Sequence, residues 1–559
     1  MDIRKIDDRL SVAPQIAIAD LERLKQAGFR AVICNRPDGE APDQPSFEEM
    51  RQAAEKAGIE IRHQPVTSGK VTDEDAQAFA RLMAELPGPV LAYCRTGTRS
   101  ATLWALSQAG KRPLTEILAT AKAAGYDLSA VARRIANRGR TPEDATDAHH
   151  AVVIVGGGAA GIATAASLKK RKPDLDVAII EPSDVHYYQP GWTLVGGGVF
   201  RPEQTAHLEA RLIPDGVKWI KAAVVAFEPE RNAVILEGCR VVTYDRLVVC
   251  PGLKLDWGAI EGLEATLGKN GVTSNYRYDL APYTWELVQG LKRGRAIFTQ
   301  PPMPIKCAGA PQKAMYLSAD HWYRTGVLKD IEVNFNNAGG VLFGVKDYVP
   351  ALMEYVKKYD ARLNFFHNLV AVDGPARKAI FEVKEPEKEP RRVEMEFDMM
   401  HVCPPQTAPD FIRVSPLADA AGWVDVDQST LRHKRFDNIW SLGDVMNAPN
   451  AKTAAAARKQ APVVAANIVA DIEGRAPVAD YDGYGSCPLT VERGKIVLAE
   501  FGYGGVLKPS FPKVLLDGTR PSRLAWMLKE KILPPIYWHA MLKGREWLAE
   551  PEPHKIAAE

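Results

Sequence analysis

An α/β chain of several domains is predicted by three features of the sequence. Its 559 residues exceed what one hydrophobic core organises, so about two to four domains are expected. Residues 1 to about 138 alternate apolar runs with helical patterns: Phe29-Arg-Ala-Val-Ile, Ile59-Glu-Ile-Arg-His and Gly88-Pro-Val-Leu-Ala-Tyr read as strands of a compact α/β unit. Beyond a polar stretch, Ala151-Val-Val-Ile-Val-Gly156-Gly157-Gly158-Ala159-Ala160-Gly161 passes from a β-branched strand through glycines into a helix.

That last stretch has the geometry of a pyrophosphate cradle. Gly156 takes up a tight turn, Gly158 lets the backbone approach a phosphate, and Gly161 permits close packing of helix on strand, with the helix dipole aimed at the anion. Gly156, Gly158, Ala159, Ala160 and Gly161 are accordingly candidate cofactor-binding residues. A second apolar run, Asp176-Val-Ala-Ile-Ile, ends in Glu181, placed to meet ribose hydroxyls. These residues serve FAD and NAD equally.

Composition narrows the class. Lys and Arg total 71 against 69 Asp and Glu, a net charge of +2 that gives no basis for a nucleic-acid partner. The N-terminus lacks the apolar core of a signal peptide, and no apolar run is long enough to span a bilayer, so a cytoplasmic protein is expected. Seven cysteines at irregular spacing, without a CxxC pair, argue against a disulfide framework and a metal site, and point to reactive thiols.

In the N-terminal unit the strand ending at Tyr93 delivers Cys94-Arg95-Thr96-Gly97-Thr98-Arg99-Ser100 and then a helix. Loop N–H groups, Arg99 and the positive helix end favour a Cys94 thiolate, making Cys94 and Arg99 candidate catalytic residues. This loop resembles the cysteine-loop-arginine cradle of rhodanese-type sulfurtransferases and protein tyrosine phosphatases. The wider unit, with Cys34-Asn35-Arg36-Pro37-Asp38, looks like the phosphatase-like domain of β-lactamase-hydrolase-like proteins. Four residues separate Cys94 from Arg99, where phosphatases of this kind carry five, and the tighter loop implies rhodanese-like carriage of sulfane sulfur. Asp38 is a general acid in the phosphatase reading and a turn residue in the other.

Residues 139–150 read as a polar linker in which His149 and His150 are solvated. Downstream, Thr243-Tyr-Asp-Arg-Leu-Val-Val-Cys250-Pro251-Gly252 and Asn438-Ile-Trp-Ser-Leu-Gly443-Asp444-Val-Met-Asn resemble two motifs of flavoproteins with paired dinucleotide domains. The resemblance implies FAD, with Gly252, Gly443, Asp444 and Lys452 at the cofactor, the FAD-binding domain being split over 151–260 and 415–475. A second domain, 261–414, has Gln300-Pro-Pro-Met-Pro-Ile-Lys306-Cys307-Ala-Gly-Ala-Pro-Gln-Lys313 where a nicotinamide fingerprint would stand. Prolines lack N–H groups, so this turn is a poor pyrophosphate cradle. It holds instead a cysteine between two lysines before a helix N-terminus, which lowers a thiol pKa.

Lys306 to Lys313, Pro416 to Asp427, Gly443 to Ala456 and Tyr481-Asp-Gly-Tyr-Gly-Ser-Cys487-Pro together resemble sulfide:quinone oxidoreductases, over about residues 150 to 545. The resemblance implies a redox pair Cys307 and Cys487, active-site lysines Lys313 and Lys452 that attract the anion and stabilise thiolates, FAD, and quinone as electron acceptor. By the family's usual assignment hydrosulfide attacks Cys487. Cys403 and Cys250 are read as packed thiols and Cys239 as a surface or strand residue.

The segment 476–559 carries the second redox cysteine and an aromatic, lysine-rich tail, Arg523 to Lys543, expected to form two short amphipathic helices broken at Pro534 and Pro535. The resemblance turns these toward a membrane surface, on the inner face of the cytoplasmic membrane, with quinone entering beside the tail. A small thiol is the expected sulfur acceptor, and a homodimer is carried as a possible assembly. The alternatives are an NAD(P)H- or disulfide-dependent flavin oxidoreductase fused to a tyrosine-phosphatase-like signalling domain, and an N-terminal unit that only recruits partners.

Overall fold

The computed structural model describes residues 2–42, 44–142 and 148–554. The chain divides into two compact units. The first comprises Met1–His149, Ala222–Tyr244 and Asp410–Ala418, and the second the remainder. The first unit therefore takes in two stretches that the sequence reading places with the FAD-binding and middle domains.

The first unit is built on a five-stranded sheet in the order Arg4–Lys5, Leu10–Ala13, Val90–Tyr93, Ala31–Cys34, Glu60–His63, parallel except for the first pair. Val90–Tyr93 and Ala31–Cys34 are buried along their whole length, as befits a sheet covered on both faces. One face packs Leu21, Leu24, Met50 and Ala54 on Val32, Leu91 and Tyr93. The other packs Phe79, Leu103, Trp104, Ile117 and Leu118 on Val90, Ala92, Ala31 and Ile33. Capping boxes at Ser46/Glu49 and Thr72/Asp75 start the helices Phe47–Ala57 and Asp73–Glu85. The central strand thus delivers Cys94 at the carboxyl edge of the sheet.

The linker expected over 139–150 includes 143–147, which lie outside the described residues. Before them Thr141 is tied by its N–H and hydroxyl to Asp73. After them the strand Ala148–Val155 begins at once. His149 and His150 therefore stand on a strand rather than in a solvated linker: His150 Nδ1 is 3.0 Å from Asp176 and His149 Nδ1 is 3.0 Å from Thr243.

In the second unit a parallel sheet runs Val217–Ile220, Val177–Ile180, the strand ending at Val155, the strand ending at Val249, then Ile439–Ser441. A second parallel sheet orders Val272–Thr273, Met399–His401, Gly294–Gln300, Ile331–Asn337 and Arg362–Phe365. The pairing of two such sheets is the α/β architecture expected of a flavoprotein with two Rossmann-like domains. The hairpin Gly485–Glu492/Lys495–Phe501 adds to the second domain. Its Cys487, Leu489 and Val497 share one core with Ala314, Met315 and Trp322 of the helix Ala310–Thr325.

The tail is helical from Arg523 to His539: an α-turn Arg523–Met527, a π-turn Leu528–Ile532 and the helix Leu533–His539. Pro534 and Pro535 occupy the first turn of the last helix, where a missing N–H costs nothing, and so they start that helix rather than break the chain. Among the described residues no helix is long and apolar enough to cross a membrane.

Candidate active site

The cofactor loop follows from local sterics. Gly156 has φ +108°, and a Cβ there would lie 2.5 Å from the Cys250 carbonyl oxygen; a Cβ on Gly161 would lie 1.9 Å from the Gly156 oxygen. Only glycine fits either place. A Cβ on Gly158 would meet nothing within 4 Å, so the loop opens to space at the N-terminus of the helix Ala159–Arg171, where Ala159 and Ala160 form the first turn. Glu181, at the end of its strand, accepts the Gly157 N–H at 2.8 Å and the Ser183 N–H at 2.8 Å. Gly252, at φ +76°, turns the chain after Val249, and Gly443, at φ +78°, opens the short turn that carries Asp444. The Asp444 carboxyl is raised by burial, against the pull of Lys452 and Lys306. An open glycine loop at a helix N-terminus, followed by an acid at the next strand end, fits a dinucleotide.

Beside that loop the second unit assembles two sulfurs. Cys307 sits in the turn before the helix Ala310–Thr325 with φ +49°, its N–H donating to the Lys452 carbonyl oxygen at 2.8 Å. Cys487 lies on the strand Gly485–Glu492, opposite Ala499. Though 180 positions separate them in sequence, their Sγ atoms are 3.5 Å apart, as unbonded thiols, beyond the roughly 2.05 Å of a disulfide. A Cβ on Gly309 would fall 2.6 Å from the Cys487 sulfur, so that glycine is what admits the second sulfur.

Lys313, one turn into the helix and 3% exposed, donates from Nζ to Cys307 Sγ at 3.1 Å and stands 3.9 Å from Cys487 Sγ. Burial alone would lower its pKa, but the two sulfurs outweigh burial and hold it above its ordinary value. Cys307 is driven well below the usual thiol range by the hydrogen bond from Cys487 and by Lys313, against burial, whereas Cys487 is driven up by donating to Cys307 and by burial. The pair thus holds one thiolate, on Cys307.

Lys452 is placed at the Asp444 turn, as expected of a cofactor-side residue, rather than with its ammonium at the sulfurs. Its Nζ donates to the backbone oxygens of Asp444 and Met446 at 2.7 and 2.9 Å and lies 4.4 Å from the centre of the Trp423 ring. It braces the Asp444 turn and meets Cys307 only through its backbone. Burial, opposed by Asp444, pushes it down to about 8. A second lysine within electrostatic reach of the sulfurs is Lys529, which the sequence reading missed. It comes from the π-turn of the tail, is 4% exposed, and interacts with Lys313, Cys307 and Cys487. Its only sequence signal is a lysine amid apolar tail residues, which reads equally as a solvated charge.

Burial, with the Lys313 charge added, pushes Lys529 down to about 7. Between that value and the unfolded 10.5 the unfolded chain binds a proton that the native chain does not, so this residue makes stability rise with pH across the window. Unfolding free energy measured for the parent minus that for Lys529→Met is expected to climb from pH 7 toward 10, by on the order of 1.4 kcal/mol per unit at most. A pH-independent difference would place Lys529 in solvent.

The remaining cysteines are packed or peripheral. Burial raises Cys403 to about 12, and Gln406 donates to it at 3.7 Å. Cys250 is raised by burial beside the Gly156 oxygen. Cys239 lies in the turn Glu237–Cys239 at φ +64° with its Sγ 3.5 Å from the Arg133 oxygen, so it is not a strand residue.

In the first unit Cys94 is fully buried and accepts the Gly97 N–H at 3.1 Å. Gly97, at φ +88°, caps the helix Thr98–Gln108. Arg99 gives Nη1 and Nη2 to the two carboxylate oxygens of Glu40, each at 2.8 Å, and Arg36 Nε donates to the same carboxylate at 2.9 Å. Asp38, the candidate general acid of the phosphatase reading, is committed elsewhere: it accepts the Phe47 N–H at 2.8 Å at the start of a helix. The acid at the Cys94 cradle is Glu40, which the sequence reading did not single out. Among the described residues no group of metal-ligating side chains is present.

Residues 2–111 match the family described as beta-lactamase hydrolase-like protein, phosphatase-like domain, and residues 150–283 match pyridine nucleotide-disulphide oxidoreductase. The Beta-lactamase hydrolase-like protein of Agrobacterium fabrum is 40% identical over 131 residues, 23% of this chain and 30% of that protein. A crystal structure of the sulfide:quinone oxidoreductase of Aquifex aeolicus shares the fold over 73% of this chain and 97% of that one, with TM-score 0.58 at 19% identity. The mitochondrial sulfide:quinone oxidoreductase of Dictyostelium discoideum is 44% identical over 397 residues, 70% of this chain and 86% of that protein. An identity of that depth over nearly all of the relative makes this chain, beyond its N-terminal unit, a member of the sulfide:quinone oxidoreductase family.

Proposed function

We propose that the second unit oxidises sulfide at the Cys307–Cys487 pair and passes the electrons through FAD to a membrane quinone. The observation that carries this is the pair itself: two sulfurs 3.5 Å apart with a buried lysine 3.1 Å from one of them. In the oxidised pair, hydrosulfide attacks Cys487, the sulfur–sulfur bond breaks, and Cys307 leaves as the thiolate that Lys313 holds. Cys487 then bears a persulfide whose outer sulfur a small thiolate removes, leaving two thiolates that return to the disulfide by giving up two electrons. The low pKa of Cys307 makes it the better leaving group. Lys313 attracts the anion to the pair. Gly156, Gly158, Ala159, Ala160, Gly161, Glu181, Gly252, Gly443 and Asp444 would hold FAD, which when bound supplies two-electron redox chemistry.

An anaerobic titration of the flavin-loaded protein with sulfide tests this. The flavin absorbance should bleach and return when a soluble quinone is added. A flavin that ignores sulfide but is bleached by NADH would overturn the proposal in favour of the pyridine-nucleotide alternative.

For the tail we propose docking on the inner face of the cytoplasmic membrane beside the quinone entry. One side of the tail is buried through Ala525, Trp526, Lys529, Tyr537 and Trp538, while Leu524, Met527 and Ile532 are exposed, as are Val514 at 99% and Leu515 in the preceding loop. Apolar side chains in water on a helix whose other face is already packed fit a bilayer interface. Changing Val514, Leu515 and Met527 together to Ser is expected to shift the protein from the membrane pellet to the supernatant. Sedimentation unchanged by the triple change would remove the membrane role.

For the first unit we propose carriage of sulfane sulfur on Cys94, from the product of the second unit to a thiol acceptor. The short Cys94 to Arg99 loop, with a backbone N–H on the sulfur and both Arg99 Nη groups already engaged, supports sulfur carriage over phosphate-ester hydrolysis.

A further inference from the structure

Three charged side chains converge at Cys94. The Glu40 carboxylate takes both Nη groups of Arg99 at 2.8 Å and Nε of Arg36 at 2.9 Å. Further donors are engaged as well: Arg99 Nη1 also reaches the Val66 oxygen at 2.5 Å, and Arg36 Nη1 donates to Gln15 at 2.9 Å. A bidentate guanidinium is the usual grip on a tetrahedral oxyanion, and here a carboxylate of the chain fills it. Arg99 holds Glu40 below the usual carboxylate range, so Glu40 stays ionised. Glu40 also cancels one of the two positive charges, which leaves a dianion little to bind. The Tyr126 hydroxyl is buried without a hydrogen-bond partner, and it stands 2.1 Å from where a Cβ on Gly97 would be, beside the loop that holds Cys94.

We propose that Glu40 is the specificity-determining residue of the Cys94 site: by occupying Arg36 and Arg99 it excludes tetrahedral oxyanions such as phosphate and thiosulfate and reserves Cys94 for a low-charge sulfane donor, an organic persulfide. The choice of donor rests on the sulfur-carriage reading above; the exclusion of oxyanions does not. In the transfer step the Cys94 thiolate attacks the outer sulfur of R–S–S⁻, the sulfur–sulfur bond breaks, and R–S⁻ leaves with the electron pair. Cys94 is left as a persulfide, with no net oxidation.

The test uses the full chain, with inorganic phosphate and thiosulfate as probes that protect Cys94 from iodoacetamide, read by mass spectrometry of the Cys94 peptide. Glu40→Gln and Glu40→Ala are each expected to need at least about tenfold less anion for half-protection than the parent. The rate of sulfur transfer from thiosulfate, relative to that from cysteine persulfide, should rise by a similar factor. Misfolding does not produce tighter anion binding, so equal or weaker protection in both variants overturns the proposal. If protection tightens while no donor transfers sulfur in any protein, the sulfur-carriage reading falls and the exclusion of oxyanions by Glu40 stands.

Discussion

Cys307→Ser and Cys487→Ser are each expected to abolish sulfide-dependent flavin reduction, by at least about 10³-fold in rate, with flavin still bound. The two serines fail for different reasons. Without Cys307 there is no bond for hydrosulfide to break and no low-pKa leaving group. Without Cys487 there is no sulfur to receive the sulfane atom. Alkylation separates them. Cys487→Ser leaves Cys307 beside Lys313 at 3.1 Å, so iodoacetamide should label it at neutral pH. Cys307→Ser leaves Cys487 buried with Lys313 at 3.9 Å, and labelling should be much slower at neutral pH and climb with alkalinity. Equal labelling of both variants, or retention of more than about a tenth of the parent rate by either, would show that the sulfurs do not act as a pair.

Lys313→Met should have the second largest effect, a loss of roughly 10²-fold or more at neutral pH with recovery toward alkaline pH. The sign follows from the charges. Cys307 is held below the ordinary thiol range by its hydrogen bond from Cys487 and by Lys313. Removing the ammonium raises that pKa, so a smaller share of Cys307 is thiolate at neutral pH, and the thiol is a poorer leaving group and a poorer electron donor. As pH climbs through the raised value, the thiolate and the rate return. Lys313→Arg keeps the charge but not the compact ammonium and should fall between the two. Stability moves as well. A thiol with a depressed folded pKa contributes stability that is complete above the unfolded pKa near 9 and is lost as pH falls through the folded value. The parent should therefore lose unfolding free energy on acidification over a range where Lys313→Met does not. A Lys313→Met pH–rate profile parallel to that of the parent would show that the lysine only packs.

Much of the fold was legible because it rests on patterns within a few residues. The β-branched run ending at Val155, the glycines and the helix from Ala159 are consecutive, and a strand leading to a turn needs no distant partner to be read. The same holds for the strand Val90–Tyr93 and its loop to Arg99. Reading failed where tertiary context decides between equals. His149 and His150 sit in a polar composition, yet the β-sheet claims them through Thr243 and Asp176. Asp38 and Glu40 are two acids two residues apart, and which of them pairs with Arg99 depends on where the helix from Phe47 places its first N–H.

By itself the sequence determined the α/β class, the dinucleotide loop, the cysteine cradle at Cys94 and the family of the larger unit, since each is written in contiguous residues whose local sterics admit few conformations. Only the tertiary structure decided which charges surround the sulfurs. Lys313 lies six residues from Cys307 and Lys529 lies 222 away, yet both reach the buried pair, while Lys452, adjacent through its backbone, turns its ammonium to carbonyl oxygens. A charge interacts through space in a medium of low dielectric, and distance along the chain carries no information about that separation.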